Sequence, residues 1–274
     1  MASQYDAIGA NYDVVKRVFF NRIEQHNLRK RIIPLLNKPD VSVLDFASGT
    51  GFYSKHFLEW GAASVVGVEL SPAMVDVARQ RLDATPNAAK ATFHVANGFE
   101  PKKYVPEGSA GFDVAAGVWF LNYAKDEEEL TRAFENIAMN LKDDGVLVAI
   151  CPHGVEDTES FASIVNCRWD LATGVKFNYL YPLPDEIGYR MEITITPPAT
   201  EPEASVVKFQ NYHLRKSIYE RAARAGGMKG KLEWRMAEFL ESEWTRMLKI
   251  NRDDPLWKSF TQWPDLTVLV IHKS

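Results

Sequence analysis

Val43-Leu44-Asp45-Phe46-Ala47-Ser48-Gly49-Thr50-Gly51 is the stretch that decides how this chain folds. A largely apolar stretch, Val41 to Phe46, is followed by small residues, and two glycines turn the chain. The pattern predicts a buried strand, a tight turn, and a helix from Phe52 to Trp60 closed by Gly61. In an open α/β sheet, ligands bind at the carboxyl ends of such strands. Glycines there let a ligand approach the backbone with no Cβ in the way, and the next helix presents its N-terminus to the same place.

Working outward, Ser64 to Leu70 is a valine-rich second strand, and Ser71-Pro72 opens a helix running through Met74, Val75, Ala78 and Leu82. Ser71 suits the cap and Pro72 the first helical position. Thr92–Ala96 and Phe112–Trp119 are predicted as the third and fourth strands. Asp126–Leu141 is an amphipathic helix with an acidic first turn, Asp143-Asp144-Gly145 a turn, and Val146–Ile150 the fifth strand. Upstream, Ile23, Leu28, Ile32 and Leu35 mark a helix with Pro34 near its end. Downstream, 161–189 is an aromatic stretch holding Pro182 and Pro184. Strands are predicted over Arg190–Thr196 and Val206–Leu214, then a helix Arg215–Ala225 ended by Gly226-Gly227. Lys229–Met236 and Leu266–His272 complete the main sheet.

Strands alternating with helices imply helices on both faces of a parallel sheet. The expected fold is a single α/β, Rossmann-like, doubly wound domain with a mostly parallel seven-stranded sheet. Residues 1–38 would form a helical lid, 39–152 the cofactor-binding core, 153–214 an inserted substrate cover, and 215–274 the C-terminal helix and strands.

The bulk composition narrows the partners. The chain has 274 residues, 46% hydrophobic and 25% charged, with 32 basic and 36 acidic residues and a net charge of −4. That balance argues against nucleic acid, whose binding wants a basic surface. Cys151 and Cys167 form no C-x-x-C pair, and no Cys/His cluster has zinc spacing, so no metal is expected. The N-terminus lacks a signal-peptide pattern, and no apolar run approaches the ~20 residues of a membrane span. A cytoplasmic setting is expected, with no membrane partner; oligomeric state is not legible.

The chemistry starts at Glu69, which ends the second strand 18 positions after Gly51. A carboxylate there can accept both hydroxyls of a ribose. An NAD-linked oxidoreductase is therefore the first competitor. Its fingerprint wants a third glycine where this chain has Ser54, and no Tyr-x-x-x-Lys pair follows the fifth strand. A non-catalytic nucleoside-binding module is the second alternative.

The segment through Gly51, together with Val66-Gly67-Val68-Glu69-Leu70-Ser71-Pro72-Ala73-Met74, resembles the first two motifs of class I S-adenosylmethionine-dependent methyltransferases. Tyr5-Asp6-Ala7-Ile8-Gly9, Trp119-Phe120-Leu121-Asn122-Tyr123-Ala124 and Tyr189-Arg190 are similar to the toxoflavin-biosynthesis branch and its fungal relatives. The resemblance implies S-adenosyl-L-methionine as cofactor, S-adenosyl-L-homocysteine as product, and a small molecule as substrate. It places Asp45, Ala47, Ser48, Gly49, Thr50 and Gly51 along the methionine part and ribose, and Glu69 on the ribose. Leu70 and Met74 would pack on adenine, with Asn97 at its amino group and Gly98 and Phe99 flanking the ring. Asn97 stands where many relatives carry an aspartate. Gly117, Val118 and Trp119 would face the methyl group. The Asn/Asp-Pro-Pro-Tyr motif of base and glutamine methyltransferases is replaced by Gly117-Val118-Trp119-Phe120.

Methyl transfer needs positioning and desolvation more than protein chemistry. Aromatic side chains suit both a planar acceptor and a sulfonium. Tyr5, Phe20, Trp119, Tyr179, Tyr181, Tyr189 and Tyr212 are the candidate substrate lining, with Arg190 and Glu186 for a polar group. Tyr5 and Tyr12 would close over the cofactor. His153, just past the fifth strand, is the candidate base beside Trp119, and His213 is expected to be structural. The expected reaction is methylation at nitrogen or oxygen of a small aromatic or heterocyclic metabolite.

Overall fold

The structure is a computed structural model that describes residues 9–168, 173–200, 203–239 and 253–274. A 3-10 helix, Gly9–Lys16, leads into α1 (Phe19–Leu36), whose buried residues Phe20, Ile23, Glu24, Asn27 and Leu28 repeat at helical spacing. Then come β1 (Ser42–Phe46), α2 (Phe52–Glu59), β2 (Ser64–Glu69), α3 (Pro72–Asp83), β3 (Ala91–Val95), β4 (Phe112–Val118), α4 (Glu127–Asn140) and β5 (Leu141–Pro152). Ser71 caps α3 by accepting the Met74 N–H, and Asp126 caps α4 by accepting that of Glu129 at 2.8 Å. Three glutamates in the first turn of α4 favour the same end electrostatically.

The main sheet has seven strands. β3, β2, β1, β4 and β5 are parallel, and two later strands, β9 (Leu232–Met236) and β10 (Leu266–His272), close the far edge with β10 antiparallel to β5. Successive strand residues serve opposite faces, as the pleat requires. Val43, Val114 and Val148 join the core under α1, α2 and α3. Leu44, Ala115 and Leu147 join the one under α4 and α6 (Lys216–Ala225). The order runs outward in both directions from β1 and β4, so the crevice of a doubly wound sheet lies between their carboxyl ends.

The cover differs from the expectation. The aromatic stretch contains a helix, α5 (Thr158–Asn166), capped by Asp157, and a strand, β6 (Val175–Pro182). β6, β7 (Gly188–Ile195) and β8 (Val207–Leu214) make a separate antiparallel sheet, where two strands were expected. A helix near the C-terminus, α7 (Pro255–Gln262), was also not foreseen. The turn at Asp143–Gly145 lies within β5, which starts at Leu141 rather than Val146. No helix among the described residues is long and apolar enough to cross a membrane.

Candidate functional site

The turn after β1 holds three residues at positive φ: Ala47 (54°), Gly49 (53°) and Gly51 (72°). The two glycines serve different ends. A Cβ at Gly51 would come within 2.9 Å of Ala78 Cβ and 3.1 Å of its Cα, so that glycine lets the turn pack on α3. A Cβ at Gly49 would meet nothing nearer than Met74 Sδ at 3.9 Å, so that glycine leaves open space above the turn. Ser54, where a dinucleotide fingerprint wants glycine, is fully buried and donates its hydroxyl to Asp45 Oδ2 at 2.6 Å. Burial pushes the Asp45 carboxyl up to about 7, against the lowering effects of Ser54 and Lys16.

Glu69 is buried and grips the turn from the neighbouring strand. One carboxylate oxygen accepts the Gly49 N–H at 3.0 Å, the other the Ser71 N–H at 2.9 Å. Beside it Met74 is buried while Leu70 is 48% exposed. Asn97 shapes its own turn: Oδ1 accepts the Phe99 N–H and Nδ2 donates to Glu100. Gly98 packs so tightly on Phe120 that a Cβ would lie 2.7 Å from its ring, and Phe99 contacts the same ring.

Two small cavities, each of about 30 Å³, meet at Trp119. The first is lined by Lys16, Asp45, Ser48, Gly49, Thr50 and Val118 among others. Ser48 Oγ is buried there with no partner among the described residues. The second lies between α1 and the cover, walled by Phe20, Trp119, Phe177 and Phe209. Trp119 itself is held at φ 58° with its N–H on the Ile150 carbonyl. A non-glycine residue in that region is strained, and such strain gathers at functional sites.

Glu24 joins the two cavities. It is 1% exposed, and its carboxylate accepts the Trp119 indole N–H, the Tyr53 hydroxyl, the Asn21 amide (2.9 Å) and the Lys16 ammonium (3.2 Å). Lys16 Nζ also lies 4.5 Å from the Tyr53 ring centre. Asp13 fastens the same N-terminal segment to the core, accepting from the Thr50 hydroxyl at 2.8 Å and from Arg81.

The remaining sequence candidates scatter. His153 lines neither cavity. It is 5% exposed, stacks on Phe161 at 5.1 Å, and is lowered to about 4 by burial and by Arg168. A neutral imidazole enclosed in that stack is a packing residue, which corrects its assignment as base. Tyr179 donates its hydroxyl to His213 Nδ1, and His213 Nε2 donates to the His153 carbonyl, both at 2.7 Å. Burial lowers His213 to about 3, consistent with the structural part expected of it. Tyr189 packs against Tyr179 in the same cluster. Arg190 and Tyr212 pair across β7 and β8 on the face of the cover opposite Ile193, Phe209 and Asn211, and Tyr181, 56% exposed, pairs with Arg190. Arg190 stacks on Tyr212 and bonds Gln210. Those three side chains therefore point away from the second cavity, and Glu186 pairs with Arg215 instead. Gly117 lies within β4 opposite Phe46. Tyr5 and the side chain of Tyr12 lie outside the described residues.

Sequence reasoning missed Lys16, Glu24, Phe177, Phe209 and Asn211. One signal was there: Val207, Phe209, Asn211 and His213 alternate on the buried face of β8, and two of the four are polar.

Residues 43–145 match a family described as a methyltransferase domain. The chain carries a methyltransferase domain. The fold is that of class I S-adenosylmethionine-dependent methyltransferases, and the NAD-linked alternative yields to this match. In structure the methyltransferase is similar to a Pyrococcus horikoshii OT3 protein (16% identity, 100% of each chain covered, TM-score 0.61). It is similar also to S-adenosylmethionine-bound CalS10, an amino pentose methyltransferase from Micromonospora echinaspora (16%, 100% of this chain and 98% of that one, 0.54). A third is the sugar N-methyltransferase KedS8 from Streptoalloteichus sp. ATCC 53650 (22%, 100% and 96%, 0.51). A comparison with curated protein sequences gives no match.

Proposed function

We propose that this methyltransferase methylates a nitrogen or oxygen of a small aromatic or heterocyclic molecule, with S-adenosyl-L-methionine as donor. The observation that carries the reading is the junction of two cavities at Trp119, one over the glycine turn and one under the cover.

The residues of the first cavity fit the donor. Gly49 leaves room for it, Ser48 Oγ is a buried polar atom lacking a partner among the described residues, and Asp45 is a buried carboxyl that a cation would ionise. In this reading Asp45, Ala47, Ser48, Gly49, Thr50 and Gly51 hold the methionine end and Glu69 the ribose. Leu70, Met74, Gly98 and Phe99 bound the adenine, and Asn97 fixes the turn that carries Gly98. When bound, the cofactor supplies an electrophilic methyl on a sulfonium. Trp119 excludes water between the cavities and holds its ring by the bond to Glu24. No histidine base is assigned.

The lining of the second cavity supports the reading of the acceptor's character. Eight of its ten lining residues are apolar, which suits a flat apolar ring better than a sugar, the substrate class named for two of the structural neighbours. Residues 1–38 and 153–214 together would enclose that acceptor over the 39–152 core. Calorimetric titration with S-adenosylmethionine, S-adenosylhomocysteine and NAD tests the donor, and homocysteine-product release over an acceptor panel tests turnover. Binding of the first two but not NAD, with turnover, is expected. NAD binding, or nucleoside binding with no turnover on any acceptor, overturns the reading.

A further inference from the structure

Among the described residues, the cavity over the glycine turn is lined by a single basic side chain, Lys16, and a single acidic one, Asp45. Lys16 ends the Gly9–Lys16 segment, and its side chain is 10% exposed. A buried ammonium is costly unless it is paired and its three N–H groups are hydrogen-bonded. Lys16 is only partly provided for. Its hydrogen-bond acceptor among the described residues is Glu24 Oε1, at 3.2 Å, and that same oxygen also takes the Asn21 amide and the Tyr53 hydroxyl. The rings of Tyr53 and Phe52 lie 4.5 and 5.2 Å from the ammonium. A further acceptor is left for the cavity to supply.

The space there is about 30 Å³, the share of one water, so it admits the tip of a ligand and no ring. The rest of such a ligand has its way out over Gly49, where an added Cβ would meet nothing nearer than 3.9 Å. An anionic oxygen is the tip that a half-satisfied ammonium calls for, and one carboxylate oxygen takes one water's place. Asp13 fastens the Gly9–Lys16 segment to Thr50 and Arg81 from outside this lining. The hold of Lys16 is the one that depends on what the cavity contains.

We infer that Lys16 grips the terminal carboxylate of the donor's amino-acid arm, and that this ion pair latches the Gly9–Lys16 segment over the loaded site. The inference rests on the reading of S-adenosylmethionine as donor. Asp45, the acidic member of the same lining, is left for the ammonium of that arm. A nucleoside that ends before the carboxylate binds without fastening the segment.

Two thioethers test this: S-adenosylhomocysteine, and its decarboxylated analogue, which keeps the adenosine, the sulfur and the ammonium. Calorimetry on the full chain is expected to show S-adenosylhomocysteine binding about tenfold or more tighter, the worth of a hydrogen bond to a charged group. Lys16→Met is expected to shrink that gap to about threefold or less and to leave the affinity of the decarboxylated analogue unchanged. Limited trypsin digestion reads the latch, because Arg17 beside it is exposed. S-adenosylhomocysteine is expected to slow cleavage after Arg17 severalfold in the wild type, and in neither case to do so for the decarboxylated analogue or for Lys16→Met. If Lys16→Met melts early because Glu24 loses a partner, Lys16→Gln, which keeps an N–H for Glu24 and drops the charge, carries the comparison. Equal affinities in the wild type, an unaltered gap in the Lys16 variants, or equal protection of Arg17 by both thioethers overturns the inference while leaving the donor reading intact. Failure of both thioethers to bind overturns the two together.

Discussion

The turn after β1 and the sheet β6–β7–β8 face each other across Trp119, and they are specified differently. The turn is made largely of backbone: two glycines at positive φ, N–H groups gathered by Glu69, and a strand end fixed by parallel pairing. The cover is made of side chains, with apolar residues on one face of an antiparallel sheet and Arg190, Gln210 and Tyr212 on the other. A backbone site tolerates little substitution at its glycines but is indifferent to its neighbours. A side-chain site can be altered one residue at a time, and each change alters what fits.

The largest expected effect separates the two glycines. Gly51→Val drives a branched side chain into Ala78 at a strained φ, so it should lower stability by about 2–5 kcal/mol as well as abolish donor binding. Gly49→Ala should lower stability by only about 1–2 kcal/mol, the left-handed backbone cost, while still impairing donor binding. Thermal melting alongside calorimetry checks both. Equal melting temperatures for the two variants would break the distinction.

Glu69→Ala comes next. Its expected loss in donor affinity is about 1.5–3 kcal/mol, the range for a hydrogen bond to a charged group. A calorimetric change near zero would mean that the carboxylate serves only to hold Gly49 and Ser71.

Asp45 adds a pH dependence to the backbone half. Its folded-state carboxyl titrates near 7 against an ordinary 3.8. A raised acid favours the protonated folded form, so this contribution to stability is full below about 4 and is lost as pH rises through 7. Binding of a cationic donor runs the opposite way: below pH 7 it should weaken by up to about tenfold per unit, because the carboxylate must first ionise. Calorimetry at pH 6 and pH 8, with Asp45→Asn as the flat control, measures it; no difference between wild type and Asp45→Asn would remove the carboxylate from the donor site.

The smallest effect sharpens the contrast from the cover side. Arg190→Ala removes a guanidinium from the outward face and should change stability and acceptor KM by about 0.5 kcal/mol or less. A large rise in KM would show that the outer face, too, handles the acceptor.

The same contrast explains what the sequence could show. Val43 to Gly51 and Glu69 were legible because strand period, glycine position and a carboxylate at a strand tip are local signals, and the doubly wound, mostly parallel sheet was expected from strands alternating with helices along the chain. The cover was not. β6 lies in a stretch whose prolines and mixed aromatics obscure alternation, and the bulge between Tyr179 and Tyr181 turns Tyr181 to the far face. Glu24 looked like one more charge on a charged helix, although it sits one turn from Phe20 on the buried side. His153 was misread because a position past a strand end does not reveal that Phe161, from α5, stacks on it.

Asp13 carries a consequence for timing. With one oxygen on Thr50 and the other on Arg81, it staples the Gly9–Lys16 segment across the mouth of the crevice, and Lys16 adds a second fastening at Glu24. Loading of fresh donor and escape of the spent thioether both pass under that strap, so turnover is expected to follow the rate at which these fastenings part and re-form.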